Sequence, residues 1–169
     1  MAALIVEDGT GKEGADSYCS VRDASLFHSA RGSGDAWDAV KDQSANLRKA
    51  TDYITQTYRE NWIGARGSVG QGLDWPRMNA PWPGRNSGFR PDNTIPNELK
   101  YATAELALRV ESGDLLRDIG RETLSESVGE VSVTYQPGTN RQTRYASVDG
   151  WLAGLITFGG SGMIPISRA

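Results

Sequence analysis

Arg59, Arg66, Arg77, Arg85 and Arg90 alternate with Trp62, Trp75 and Trp82, and no other constellation in the chain has residue types so suited to recognition. Aromatic faces interleaved with guanidinium groups can stack on single-stranded bases while the cations hold phosphates. Tryptophan and arginine are also the residues enriched at the energetic centres of protein interfaces. A third reading is structural, with tryptophans covering a core and arginines facing water. The residues alone leave all three open. Arg66, Arg77, Trp82, Arg85 and Arg90 are the candidates for a partner or subunit interface.

Other motifs carry less. Gly9-Thr10-Gly11-Lys12-Glu13-Gly14 matches G-x-G-x-x-G, but a dinucleotide fingerprint needs its third glycine inside a helix and a returning parallel strand. The next helix signal waits until Ser20, so the motif is predicted to be a turn. Lys12 does not follow the four-residue spacer of a phosphate-binding loop. His28 is the only histidine and Cys19 the only cysteine, too few for a soft-ligand metal site or an internal disulfide. A nucleophilic triad would have to use His28, and there is no G-x-S-x-G elbow. His28 reads as a helix boundary residue and Cys19 as a small structural residue, although a thiol near a helix start can also have a lowered pKa. No catalytic residue, metal or cofactor is assigned, and the chain is not expected to be an enzyme.

Composition narrows the class further. At 169 residues, 38% apolar and 23% charged, the chain suits one domain able to bury a core without cross-links. The net charge of −3 is unevenly spread: residues 59–91 carry +3 and residues 92–135 carry −5. Such a protein is not built for tight non-specific DNA binding, which requires several phosphates neutralised together. No apolar run reaches the length of a membrane span, and MAALIVEDG lacks the basic flank of a signal peptide.

The positioning elements are mainly helical. Residues 2–6 suggest a short strand before the glycine turn. Ser20 should cap a first helix with Val21, Ala24 and Phe27 facing inward, ended by Gly32-Ser33-Gly34. Trp37 and Val40 sit in a short helical turn. A stronger helix follows from about Ser44 to Tyr58, with Leu47, Ala50, Ile54 and Tyr58 on one face. The Pro- and Gly-rich stretch 59–95 has no period. Thr94 or Ile95 is expected to cap the next helix, with Pro96 in its first turn and Ile95, Leu99, Ala102, Leu106 and Val110 inside. Val128, Val131, Val133 and Tyr135 alternate around a turn and predict a β-hairpin. Ser147 is expected to cap a short last helix carrying Val148, Trp151, Leu152, Leu155 and Ile156. The expected fold is a mainly α bundle of about four helices in residues 1–156, with a β-hairpin, a long irregular insertion and an extended C-terminal arm, 157–169. Phe158, Met163, Ile164 and Ile166 on that Gly-rich arm predict a segment that orders on a partner.

Several of these boxes occur together elsewhere. Val6-Glu7-Asp8-Gly9-Thr10-Gly11 with Ala15-Asp16-Ser17-Tyr18, Leu47-Arg48-Lys49-Ala50-Thr51-Asp52-Tyr53-Ile54, Leu73-Asp74-Trp75-Pro76-Arg77, Ile95-Pro96 with Ala104-Glu105-Leu106-Ala107, and Ser127–Tyr135 resemble a family of phage proteins labelled DnaT-like single-stranded-DNA-binding proteins. In size and helical layout that family resembles head-completion adaptors of tailed phages. The resemblance implies a structural virion protein at the head–tail junction, assembled in the host cytoplasm. It would form a ring, twelve-fold to follow the portal, with the portal on one face and the next neck or tail protein on the other. Genomic DNA would pass its channel without sequence-specific binding. The resemblance also implies that Phe158, Met163, Ile164 and Ile166 reach into the portal. The insertion around residues 79–91 departs from shorter relatives. The alternative is a single-stranded-DNA binder using the Arg/Trp segment.

Overall fold

In α1 (Val21–Ser29) the Ser20 hydroxyl accepts from Asp23 N at 3.0 Å, which satisfies one of the free amides that every helix start leaves. The computed structural model describes residues 3–84, 88–116, 125–128, 131–134 and 144–157. Ala24 and Phe27 of α1 are buried and Val21 is half-buried. A short α2 (Gly34–Asp38) follows and buries Trp37 completely. α3 (Gln43–Tyr58) is capped by Asp42, whose Oδ1 accepts from Ala45 N at 2.9 Å, and buries Leu47, Ala50, Ile54 and Tyr58 as the period requires.

α4 (Asn97–Arg109) is the centre of the bundle and packs against α3, α5 and α1. Leu99, Ala102 and Leu106 are buried, and so are Thr103, Ala104 and Ala107, so two sides of this helix face other elements. Burying each leucine contributes roughly 1.5–3 kcal/mol. Pro96 stands at the cap itself and not in the first turn; Leu99 N and Lys100 N both donate to its carbonyl. Neither Thr94 nor Ile95 caps the helix. Val110 is only half-buried, because the helix tightens there into a 3₁₀ turn, Val110–Ser112.

α5 (Ala146–Leu152) starts one residue before the expected cap. Ser147 lies inside the helix, and its Oγ accepts from Arg109 Nη2 at 2.8 Å, tying α5 to α4. The Tyr58 hydroxyl donates to Asp149, joining α5 to α3. Beyond α5, Trp62 bridges Ile156 and Thr157 N donates to Asn61 O at 2.7 Å, which clamps the chain's later part onto the end of α3.

The extended elements are small. β1 (Ala65–Arg66) pairs antiparallel with β2 (Arg77–Met78) inside the irregular stretch. β3 (Ser125–Val128) pairs antiparallel with β4 (Val131–Thr134) as the expected hairpin, matching Val128 with Val131 and Glu126 with Val133. The fold is therefore the mainly helical one expected, with five helices and this hairpin among the described residues. Residues 3–6 do not form the anticipated strand; Val6 makes only a single bridge to Ser17. No helix among the described residues is long and apolar enough to cross a membrane.

Candidate interaction surface

The glycine-rich loop is filled from within. Glu7, 1% exposed, accepts from Gly9 N at 2.8 Å, Gly11 N at 2.9 Å and Lys12 N at 2.8 Å. Successive amides turned toward one point make an anion site, and the chain's own carboxylate occupies it. Gly9 is at φ +104°, and a Cβ there would lie 2.0 Å from the Asn93 carbonyl oxygen. The turn reading holds, and the loop's work is to lock the N-terminal segment beneath the entry to α4.

The tryptophans in the first half of the Arg/Trp segment are also turned inward. Trp75 is fully buried and meets Trp62 edge-on at 6.1 Å between centroids. Arg77 donates from Nε to Ile63 O at 2.8 Å, from Nη2 to Gly64 O at 2.8 Å and from Nη1 to Asp74 O at 3.3 Å. One rigid guanidinium thereby satisfies three carbonyls of a connection that has no regular ladder. Burial pushes its pKa down from the usual arginine range, opposed by the Asp74 carboxylate. Arg66 Nη2 donates to the carbonyls of Gln71 and Leu73. Asp74, itself buried, receives Arg59 at 3.7 Å, and its backbone N–H donates to the Tyr18 hydroxyl.

The second half turns outward. Pro81 bridges Phe89, and Arg90 N donates to Ala80 O at 2.7 Å, closing a loop that presents Trp82 at 36% and Phe89 at 61% exposure. Beneath Trp82 lies the buried Arg90 guanidinium, 4.4 Å from the ring centroid and 3.1 Å from Glu98 Oε1 of α4. Asp8, Trp82, Arg90, Ile95, Lys100 and Tyr101 are among the residues lining a groove of about 620 Å³. A neighbouring hollow of about 280 Å³ shares Asn97, Lys100 and Tyr101 with it and continues to Leu26, Phe27 and Arg31. Arg31 stacks its guanidinium carbon 3.9 Å from the Phe27 centroid, 5.1 Å from Tyr101 and 5.4 Å from Trp151.

Sequence reasoning missed Leu26, Arg31, Tyr101 and Trp151 as surface residues. Phe27 and Arg31 at i, i+4 on one helix were a local signal, but nothing local places Tyr101 and Trp151 beside them. Of the candidates, the structure brings Trp82 and Arg90 together and keeps Arg66 and Arg77 with the loop carbonyls. Arg85, Tyr135, Phe158, Met163, Ile164 and Ile166 lie outside the described residues.

Cys19 and His28 are both held in the interior. Burial pushes the Cys19 thiol up to about 12, the reverse of a reactive thiolate. His28 is not a boundary residue: it is 1% exposed, stacked on Trp37 at 5.0 Å, with Nε2 3.0 Å from Ala104 O and Nδ1 2.9 Å from Ser33 Oγ. Desolvation lowers its pKa, so it serves as a neutral link between α1 and α4. Among the described residues no group of three or more His, Cys, Asp or Glu side chains is placed to hold a metal ion. What the exposed geometry supports is recognition by shape, apolar contact and stacking.

A family profile with the description "Putative DnaT-like ssDNA binding protein" matches residues 2–169. The chain belongs to this family. No curated protein and no solved structure matches it. In this DnaT-like protein the resembling boxes fall mostly on structural positions. Glu7 and Gly9 form the filled loop, Leu47 and Ile54 form the inner face of α3, and Trp75 and Arg77 organise the irregular segment.

Proposed function

We propose that this DnaT-like protein is a structural, protein-binding subunit, an adaptor at the head–tail junction of a tailed phage. It would form a ring beneath the portal and leave a channel for DNA. The observation that carries the protein-binding part is the fate of the Arg/Trp segment. Arg66, Arg77 and Arg90 direct their guanidinium groups to carbonyls, to Glu98 and to the Trp82 ring, while the large side chains exposed nearby, Met78, Trp82 and Phe89, are apolar or aromatic. Apolar and aromatic exposure with few uncommitted cations suits a protein partner better than a phosphate backbone. The adaptor assignment itself follows the resemblance to head-completion proteins. On this reading Phe158, Met163, Ile164 and Ile166 dock on the portal, and the β3–β4 hairpin with the Trp82 loop meets a neighbouring copy or the next neck protein.

A second reading follows the family's description, single-stranded DNA binding. It is favoured by the groove in which Trp82 and Tyr101 stand near Arg31 and Lys100, a set that could stack bases. One experiment separates the two. Full-length protein and a Thr157→stop truncation are mixed with the phage's portal protein and examined by size-exclusion chromatography and electron microscopy. Both are also titrated with a labelled single-stranded oligonucleotide at two salt concentrations. A ring on the portal formed only by the full-length chain supports the adaptor. Failure of both forms on the portal, with salt-sensitive oligonucleotide binding lost on Trp82→Ala, replaces it with the second reading.

A further inference from the structure

We propose that the hollow between α1 and α4 reads a carboxylate: Arg31 and Lys100 receive one acidic side chain of a partner protein, whose apolar neighbours lie along the groove. This rests on the protein-binding reading above and names the chemistry the partner must carry. Arg31 is built for the task. Its guanidinium carbon lies 3.9 Å from the Phe27 centroid, 5.1 Å from Tyr101 and 5.4 Å from Trp151. Tyr101 meets Trp151 edge-on at 5.2 Å and Phe27 at 5.3 Å, so the three rings support one another as a wall. Nη1 also donates to the Phe27 carbonyl at 3.3 Å. Stacking occupies the face of a guanidinium and leaves N–H groups on its edge for the two oxygens of a carboxylate. A side chain already held this way loses little further freedom when it binds.

The charges bordering the two hollows divide into paired and unpaired. Asp8 is bridged by Lys12 at 2.8 Å and Glu98 by Arg90 at 3.1 Å. Lys100 lines both hollows, and Arg31 and Asp23 line the smaller one. None of these three makes an ion pair among the described residues. Two unpaired cations against one unpaired acid leave a single positive charge to be answered. One carboxylate answers it. A phosphate backbone, charged at every nucleotide, would bring further negative charges against Asp23, Asp8 and Glu98.

The surroundings say what should flank that carboxylate. Ile95 and Tyr101 line the groove that Lys100 shares, and Leu26, 61% exposed, stands on the rim of the smaller hollow. Trp82 closes the far end over Arg90. Uncharged apolar side chains on either side of the acid would cover these surfaces. By excluding water they would also strengthen the ion pair at Arg31 and Lys100, since the attraction between opposite charges grows as the local dielectric falls. The fitting segment is therefore short and extended, with one acidic residue between apolar ones.

The test titrates the full-length, isotope-labelled chain with acetyl-Ala-Leu-Glu-Leu-Ala-amide and with its glutamine counterpart, following amide resonances without any portal. The glutamate peptide is expected to move resonances of residues 23–31 and 95–101. It should bind about tenfold more tightly than the glutamine peptide, as for a charge-assisted pair. Arg31→Gln should bring the glutamate peptide to the glutamine value. Lys100→Gln should weaken it too, and it leaves the stacked rings untouched should Arg31→Gln loosen them. Equal binding of the two peptides, no binding of either at millimolar concentration, shifts confined to other surfaces, or affinity unmoved by both substitutions would overturn the proposal. An oligothymidylate that moves the same resonances while neither peptide does would give the hollow to single-stranded DNA instead. Since no portal is present, a failure here removes this specificity alone, and the portal experiment decides the adaptor reading separately.

Discussion

Residues 59–80 and 81–90 share one vocabulary of arginine, tryptophan, proline and glycine, yet the tryptophans of the first stretch, Trp62 and Trp75, are buried in the core and Trp82 of the second is partly exposed. In the inner stretch Trp62 and Trp75 extend the apolar core while Arg77 replaces a missing ladder of backbone hydrogen bonds. In the outer stretch Arg90 is still buried, but it serves as a support on which Trp82 stacks in partial exposure. The difference teaches that an Arg/Trp run is no recognition signal by itself. A guanidinium given to carbonyls is scaffold, and an aromatic ring held up by a buried guanidinium is a presented surface.

The sharpest way to break that contrast is to truncate one tryptophan from each stretch. Trp75→Ala should cost about 3–5 kcal/mol, since it empties a fully enclosed site; chemical denaturation measures it, and a loss below about 1 kcal/mol would remove Trp75 from the core. Gly64→Ala comes next. Gly64 is at φ +72° and its Cβ would fall 2.5 Å from the Met78 carbonyl oxygen, so a loss of roughly 2–3 kcal/mol is expected, read as a lowered melting temperature. Arg77→Met keeps the stem but strands three carbonyls; a loss of about 1.5–3 kcal/mol with faster amide exchange over residues 63–78 would sharpen the scaffold reading. Trp82→Ala should change stability by only about 1 kcal/mol, the value of its stacking on Arg90. The same variant should weaken whatever binds the groove, so equal binding by parent and variant in a partner titration would erase the distinction between the two stretches.

Much of the helical framework was legible. The period of Leu47, Ala50, Ile54 and Tyr58 located α3, Ser20 marked the start of α1, and the alternating valines marked the hairpin. These signals work because they need only neighbours within a turn or a strand pair. The misses share a different cause. Ser147 looked like a cap, but Arg109, thirty-eight positions away, takes its hydroxyl. Nothing local marked Glu7 as buried, but the amides of Gly9, Gly11 and Lys12 curl around it. His28 looked like a boundary residue, but Ala104 of the central helix supplies its buried acceptor.

By itself the sequence determined where helices form and where the chain must turn. Only the tertiary structure decided which arginines are spent on carbonyls, which tryptophans reach solvent, and that Leu26, Arg31, Tyr101 and Trp82 border one continuous surface. The reason is physical. Helix periodicity and capping are local free energies, whereas the exposure of a side chain depends on which distant groups satisfy it when the elements pack.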